Sequence, residues 1–153
     1  MEWSGGNTLL AQVQVFVVDA SVAVKWYVEE DLRDKALRLR DDFLSETVDL
    51  EAPSLILCEV GNAIRHHPGA TEDECSSAVT QLRNLGITIR ELDDLCMKIA
   101  AKIAFEENLT FYDATYLSLA KSIRAKFLTA DRELYNQLSK KNRAFSLLLE
   151  DYK

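Results

Sequence analysis

The sequence QVFVVDAS at residues 14–21 contains a short apolar run that ends at an acidic residue, Asp19. Consecutive β-branched and aromatic residues are typical of a parallel strand that is buried on both faces. The sequence KFLTAD at residues 126–131 repeats the arrangement and places Asp131 just after a second apolar run. In open α/β sheets the carboxyl ends of the strands border the ligand crevice, so we expect both acids there.

Two further acids lie within predicted helices. Glu59 falls in LILCEVGNAI at residues 55–64, and Asp113 falls in YDATYLSLA at residues 112–120. Each acid interrupts an otherwise apolar stripe, which is the face that a helix packs against the rest of a domain. A carboxylate on a buried face needs a compensating partner, and a cation would serve.

The rest of the chain alternates short strands with amphipathic helices. This alternation predicts βαβ units, and therefore a single α/β domain of three layers, α/β/α, with a central parallel sheet of about five strands. Ser54 is the expected N-cap of the helix that carries Glu59. The predicted strands are 14–18, 51–52, 87–91, 126–129 and 145–149, and the other predicted helices are 21–27, 32–44, 71–85, 93–107, 111–124 and 132–139.

Each of the four acids also has a purely structural interpretation. Asp19 and Asp131 stand where an aspartate commonly caps the helix that follows a strand. Asp113 fits a capping box with Thr110, in which its carboxylate would bond back to the Thr110 amide. Glu59 lies five residues past its candidate N-cap and beyond capping reach, so its alternative is an exposed side chain.

Taken together, the four acids indicate a metal site. A doubly wound sheet would bring both strand-end acids to one edge and could present both helix acids there. Four facing carboxylates repel and hold protons with raised, coupled pKa values unless a cation neutralises them. Oxygen ligands select a hard ion such as Mg²⁺ or Mn²⁺. Such an ion lowers the pKa of a bound water and stabilises charge on phosphate oxygens, so we expect phosphodiester hydrolysis.

Three polar residues near the acids are candidates for orienting their carboxylates. They are Ser21, Thr129 and Asn62, and their structural alternatives are a helix-start residue, a strand residue and the polar edge of a helix. The aromatic residues of the same segments are expected to pack in the core rather than to stack on bases. These aromatic residues are Trp26, Tyr27, Tyr112 and Tyr116.

Length and composition fit one globular domain. The chain has 153 residues, of which 48% are hydrophobic and 28% charged, and it contains no apolar run long enough to span a membrane. The first residues lack the basic and apolar regions of a secretory signal, so we expect a cytoplasmic protein. The three cysteines are widely spaced and predict neither a disulfide framework nor a zinc ribbon.

The net charge of −7 argues against a nucleic-acid partner, but the charge is unevenly distributed. Residues 1–117 carry 10 Lys or Arg and 21 Asp or Glu, whereas residues 118–153 carry 8 and 4. The C-terminal basic excess could contact phosphates beside an acidic metal centre, and its alternative is an ordinary solvated surface. It includes Lys121, Arg124, Lys126, Lys140, Lys141 and Arg143.

The four acidic segments, in their order along the chain, resemble those of the PIN-domain nucleases, and within that family the VapC-type toxins. The likeness extends from about residue 15 to the C-terminus. We therefore expect a PIN domain at residues 14–153 and a flexible arm or extension at residues 1–13. The segments that carry the resemblance are VDAS at 18–21, EVGNA at 59–63, YDA at 112–114 and TADRE at 129–133.

The resemblance implies a role for each acid. Asp19, Asp113 and Asp131 would ligate Mg²⁺ or Mn²⁺ directly or through water, and Glu59 would complete the site and position the attacking water. The resemblance also implies a toxin of the VapBC type that cleaves single-stranded RNA and leaves a 5′-phosphate and a 3′-hydroxyl. Its implied partners are a second copy of the chain and a small VapB-type antitoxin that covers the acidic crevice.

Two other functions fit the same resemblance. One is a stand-alone PIN nuclease in RNA processing, and the compactness of the chain favours the toxin over the larger processing enzymes. The other is a catalytically silent PIN module that binds RNA or a protein, and the retention of all four acids counts against it.

Overall fold

The computed structural model describes residues 12–153, which form a parallel sheet of five strands with helices packed against it. The strands are β1 at Gln14–Val18, β2 at Val48–Pro53, β3 at Thr88–Arg90, β4 at Lys126–Thr129 and β5 at Ser146–Leu148. Their spatial order is β3-β2-β1-β4-β5, and every neighbouring pair is parallel. Helices lie on both sides of this sheet, so the predicted three-layer α/β/α fold is confirmed.

Eight α-helices within the described residues connect the strands. They are α1 at Ala20–Ala23, α2 at Arg33–Leu44, α3 at Leu55–Arg65, α4 at Glu72–Asn84, α5 at Asp94–Glu107, α6 at Phe111–Ile123, α7 at Arg132–Gln137 and α8 at Lys140–Arg143. Helix α6 lies across the middle of the sheet, where it contacts β1, β2 and β4 and buries every residue from Ala114 to Ala120. This placement fixes the position of Asp113, which lies in the first turn of α6.

The central strands owe their position to their apolar sequences. Val17 and Val18 of β1 and Phe127 and Leu128 of β4 are completely buried, as expected for strands covered on both faces. The bounds of both strands agree with the prediction. The two runs that ended at acids therefore form the adjacent strands at the middle of the sheet.

Strand β2 is longer than the predicted pair of residues 51–52. The sequence pattern was interrupted because the strand contains acids at Asp49 and Glu51. Glu51 is nevertheless buried, since Arg90 on β3 donates hydrogen bonds to its Oε1 atom at 3.1 and 2.8 Å. A charged partner on a neighbouring strand can thus allow a carboxylate to be buried, even where the residues around that carboxylate in sequence do not predict its burial.

Three predicted helix ends need correction. The first helix is only one turn long and continues as a 3-10 turn at Val24–Trp26. The predicted N-cap bond of Ser54 is wrong, because its backbone is already helical and its side chain makes no capping hydrogen bond. The helix predicted at residues 132–139 ends at Gln137, since Ser139 is extended and caps a separate short helix, α8.

Most of the predicted N-terminal arm, residues 1–11, lies outside the described residues, and Gln12 and Val13 are exposed and precede β1. Within residues 12–153, none of the helices combines the length and the apolar character that crossing a membrane requires.

Candidate active site

The site begins at the carboxyl ends of β1 and β4. The register of these strands pairs Val18 with Leu128, and the Asp19 amide continues the pairing by donating to the Leu128 carbonyl at 3.3 Å. Asp19 therefore lies beside Thr129, the last residue of β4, and Asp131 follows two positions later. From β1 the chain passes to β2 and β3 on one side of the sheet, and it then returns to form β4 and β5 on the other side. The carboxyl ends of β1 and β4 therefore form a topological switch point, where ligands bind in such folds.

Asp19 is a buried carboxylate with 6% of its surface exposed. Its Oδ1 atom accepts a hydrogen bond from the Ser21 hydroxyl, and its Oδ2 atom accepts one from the Thr129 hydroxyl at 2.6 Å. Asp19 occupies the N-cap position of α1, as the structural interpretation required, but its side chain makes no capping hydrogen bond to the helix. The helix is instead started by the Asp19 carbonyl, which accepts from the amides of Val22 and Ala23.

The hydroxyls of Ser21 and Thr129 also tie the two strand ends together. The Ser21 Oγ atom accepts from the Ala130 amide at 2.9 Å, and the Thr129 Oγ1 atom accepts from the Asp131 amide at 3.1 Å. Two of the three residues predicted to orient a carboxylate therefore contact Asp19 directly, and they also hold the backbone that leads to Asp131.

Asp131 does act as a cap with one of its oxygens. Its Oδ1 atom accepts from the Leu134 amide at 3.0 Å, as the structural interpretation required. No described residue donates to its other oxygen. The capping role and a ligand role are therefore compatible, because a carboxylate offers two oxygens and about four lone pairs.

Asp113 forms only half of the predicted capping box. The Thr110 hydroxyl accepts from the Asp113 amide at 3.1 Å, but the Asp113 carboxylate makes no return bond to the Thr110 amide. The side chain is half-buried in the first turn of α6. Its carboxylate is consequently not consumed by the helix end.

Glu59 is half-buried on α3, so the exposed alternative is wrong. Its Oε1 atom accepts a hydrogen bond from the Tyr116 hydroxyl at 2.6 Å. Sequence reasoning assigned Tyr116 to the core, and its ring is indeed buried, but its contact with Glu59 was missed. The spacing of the sequence could have indicated that Tyr116 lies near the acids, because it follows Asp113 by one helical turn and shares its face of α6.

The four acids influence one another through Asp113. Burial raises the pKa of Asp19 to about 7 despite the hydrogen bonds from Ser21 and Thr129, and the charge of Asp113 raises it further. Burial and Asp113 also raise the pKa of Glu59, against the hydrogen bond from Tyr116. The pKa of Asp113 is itself raised, first by burial and then by Asp131. Asp113 thus lies near enough to Asp19, Glu59 and Asp131 for its charge to interact with each of them.

The residues fit a hydrated hard cation rather than a bare one. Within residues 12–153, no three His, Cys, Asp or Glu side chains lie close enough together to hold a metal ion as they stand. All four acids offer oxygen, and Mg²⁺ keeps several waters and needs only one or two direct carboxylates. A nearby cation would also compensate the buried charge of Asp19, whose ionisation burial opposes.

A cleft of about 480 Å³ adjoins the acids. Ser21, Glu59, Asn62 and Tyr112 are among its lining residues, whereas Asp19, Asp113 and Asp131 are not. Asn62 is exposed and makes no side-chain hydrogen bond to a described residue, so its predicted contact with Glu59 is not seen. Tyr112 is 60% exposed and is not a core residue, contrary to expectation. Trp26, by contrast, is buried, and its indole donates to the Ala36 carbonyl at 2.8 Å.

The basic residues of the C-terminal segment do not lie beside the acids. Lys126 begins β4 and Asp131 follows its end, while Lys121 lies in the last turn of α6 and Asp113 in the first. Helix α8, which carries three further basic residues at 140–143, leads into the start of β5. Because all the strands are parallel, these groups lie towards the amino ends of the strands, away from the acids, which favours the alternative of an ordinary solvated surface.

Comparison with known proteins agrees with this geometry. The family model of the PIN domain matches residues 16–140. Ribonuclease VapC3 of Pyrobaculum aerophilum is 32% identical over 123 residues, which cover 77% of this chain and 90% of that protein. Exonuclease VapC9 of the same organism is 29% identical over 94 residues, covering 61% of this chain and 71% of that protein.

A solved structure agrees in fold. The crystal structure of VapBC2 from Rickettsia felis, bound to a DNA fragment from its promoter, includes a chain that superposes with a TM-score of 0.62. The match covers 88% of this chain and 97% of that chain, at 13% identity. At this identity the likeness supports the architecture and no more.

Proposed function

Because the chain belongs to the PIN domain family, as a VapC-type member, we propose that it is a divalent-metal-dependent endoribonuclease that hydrolyses phosphodiester bonds in single-stranded RNA. The observation that carries the proposal is the cluster of four acids at the switch point of the sheet, linked through Asp113 and bordered by the cleft. VapC3 is named a ribonuclease, which supports RNA as the substrate.

Asp19, Asp113 and Asp131 are the proposed ligands of Mg²⁺ or Mn²⁺. When bound, such an ion would neutralise phosphate charge and make a water more acidic. Ser21 and Thr129 hold both oxygens of Asp19 in fixed directions, which reduces the freedom that the carboxylate must lose on binding. Asp131 can contribute the oxygen that α7 does not use.

Glu59 is the proposed group for the attacking water. It lines the cleft, whereas the three aspartates do not, so it lies between the acid cluster and the open space. Its raised pKa, caused first by burial and then by Asp113, favours a carboxylate that accepts a proton readily. We assign it to orienting the water and taking up its proton.

The proposed biological role is the toxin of a VapBC pair. The Rickettsia felis complex joins a related fold to its partner and to promoter DNA, which supports an antitoxin as the partner of this chain. A homodimer and a cytoplasmic location complete the proposal. The three cysteines are free in the structure, which is consistent with a reducing compartment.

The test is cleavage of labelled RNA by protein freed from any antitoxin. A linear and a circularised single-stranded RNA are incubated with Mg²⁺, Mn²⁺ or EDTA, beside the Asp19→Asn variant. We expect both RNAs to be cut only with metal and only by the unmodified protein, leaving 5′-phosphate and 3′-hydroxyl ends.

Other results would contradict the proposal in distinct ways. Cutting of the linear RNA alone would indicate an exonuclease, as the name of VapC9 describes that relative. Cutting in EDTA would show that cleavage does not require a metal ion. Failure to cut several structured and unstructured RNAs, with no Mn²⁺ binding by calorimetry, would favour a silent binding module.

A further inference from the structure

We propose that Tyr116 is a positioning residue of this site, whose hydroxyl fixes the orientation of the Glu59 carboxylate. The inference deepens the proposed nuclease function and rests on it for the role of Glu59. It assigns Tyr116 no contact with the substrate.

The contact is short, and the tyrosine that donates it is buried. The Tyr116 hydroxyl donates to Oε1 of Glu59 at 2.6 Å, and Tyr116 has only 1% of its surface exposed. Within residues 12–153, no other group donates a hydrogen bond to Glu59. The orientation of this carboxylate therefore depends on a single hydroxyl, whereas Asp19 has two hydroxyl donors.

The same hydrogen bond joins two helices that both reach the cleft. Among the described residues it is the one side-chain hydrogen bond between α3 and α6, and its partners are 57 positions apart in sequence. Helix α3 contributes Glu59 and Asn62 to the cleft, and α6 contributes Tyr112. Loss of the hydroxyl would free Glu59 without removing any group from the lining of the cleft.

The geometry divides the work between the two oxygens of Glu59. Oε1 is held by the buried hydroxyl, and no described residue donates to Oε2. Anchoring one oxygen restricts the torsions of the side chain, so the direction of the other is set before a water or a hydrated cation arrives. Such preorganisation reduces the entropy lost on reaching the reactive arrangement.

The variant Tyr116→Phe removes the hydroxyl and keeps the ring. We expect kcat for RNA cleavage to fall by about 10- to 100-fold, the usual range for loss of a group that orients a metal-site ligand. KM should stay within about twofold, since Tyr116 does not line the cleft. Mn²⁺ affinity, measured by calorimetry without RNA, should weaken, because Glu59 completes the site around the hydrated ion.

The chain contains a matched control. Tyr152 is also buried, and its hydroxyl donates to Oδ2 of Asp42 at 2.6 Å, away from the site residues. Tyr152→Phe therefore deletes the same kind of bond. It should leave kcat and Mn²⁺ affinity unchanged, and both variants are compared at a temperature at which circular dichroism shows them folded.

A second background shows whether Tyr116 acts through Glu59. In Glu59→Ala protein, adding Tyr116→Phe should cause no further loss of Mn²⁺ affinity, because the hydroxyl has nothing left to orient. An equal loss in both backgrounds would overturn the proposal. So would a Tyr116→Phe variant that matches Tyr152→Phe in both kcat and Mn²⁺ affinity.

The readouts separate this inference from the nuclease proposal. If the unmodified protein cuts no RNA, the nuclease proposal fails. The Mn²⁺ affinities of the unmodified protein, Tyr116→Phe, Glu59→Ala and the double variant still decide whether Tyr116 positions Glu59. If it cuts RNA and Tyr116→Phe cuts equally well, the nuclease proposal stands and the positioning role is overturned.

Discussion

Asp19 and Glu107 are two carboxylates with little exposed surface, 6% and 8% of each residue, yet their pKa values shift in opposite directions. Burial raises the pKa of Asp19 to about 7, and the charge of Asp113 adds to the rise. Burial also opposes the ionisation of Glu107, but hydrogen bonds from Ser139 and Asn142, followed by the charge of Lys121, outweigh it and lower its pKa.

The difference lies in depth as well as in what surrounds each carboxylate, because Asp19 lies deeper in the protein and desolvation opposes its ionisation more strongly. Glu107, at the end of α5, accepts hydrogen bonds from the Ser139 amide at 2.7 Å, from the Ser139 hydroxyl and from the Asn142 side chain. These donors join α5 to the start of α8. Asp19 has fewer donors and an acidic neighbour, so its charge is left for something outside the protein to compensate. A small exposed surface alone therefore does not identify a functional acid.

The largest expected effect separates the two carboxylates by activity. Asp19→Asn keeps the size of the side chain but removes its charge, and we expect kcat for RNA cleavage to fall by roughly 10²–10³-fold, as on loss of a key electrostatic group. Glu107→Gln should cut RNA at nearly the normal rate per folded molecule. Equal losses in the two variants, measured on the same labelled RNA, would erase the distinction.

In stability, by contrast, we expect the larger effect at Glu107. Glu107→Ala leaves the buried Asn142 amide without its acceptor and removes two part-buried hydrogen bonds from Ser139, so we expect a loss of about 2 kcal/mol in the free energy of unfolding, measured with urea. Its neighbour Glu106 is the control, because its ion pair with Lys102 is exposed and long at 3.8 Å. Glu106→Ala should cost less than about 0.5 kcal/mol. A similar cost in both variants would show that the Glu107 network does not stabilise the fold.

Added metal should act on one carboxylate site and not on the other. If Mn²⁺ binds only the folded protein, a hundredfold excess over Kd stabilises it by about 2.7 kcal/mol, seen as a higher Tm. Asp113→Asn should reduce this rise, because Asp113 interacts with the other three acids. Glu107→Gln should lower the starting Tm and keep the rise. An unchanged rise in Asp113→Asn would place the ion elsewhere.

A smaller effect is expected in the dependence of the unfolding free energy on acid pH, to which Glu107 contributes. Its pKa is lowered in the folded state from an ordinary value of 4.5, so its contribution to stability is fully present above about pH 4.5. The contribution is lost as the pH falls through the folded-state pKa. Unfolding free energies measured from pH 6 to pH 3 should therefore fall less steeply in Glu107→Gln than in the unmodified protein. Parallel curves would mean that Glu107 titrates normally.

The smallest effect is expected at the basic edge of the sheet. Lys126→Ala removes a charge at the start of β4, on the side away from Asp131, so kcat/KM for a short RNA should change by less than about twofold at physiological salt. A tenfold loss, with a weaker dependence on salt concentration, would show that RNA extends across to this edge.

Much of the fold could be predicted because its signals are local. The apolar runs of β1 and β4 and the punctuation between helices are properties of a few adjacent residues, and the bounds of both strands were correct. Strand β2 was predicted too short because Asp49 and Glu51 interrupt its apolar pattern, and the burial of Glu51 depends on Arg90, 39 positions later. The division of residues 132–143 into two helices was also missed, because Ser139 is held by the distant Glu107.

The sequence by itself determined which acids are candidates and where the strands that carry two of them end, because alternation and apolar runs specify backbone structure locally. Only the tertiary structure decided that Asp113 interacts with the other three acids, that Tyr116 holds Glu59, and that the basic residues lie at the opposite edge. Each of these facts depends on distances between residues far apart in sequence and on burial by several elements at once. Local periodicity contains neither quantity.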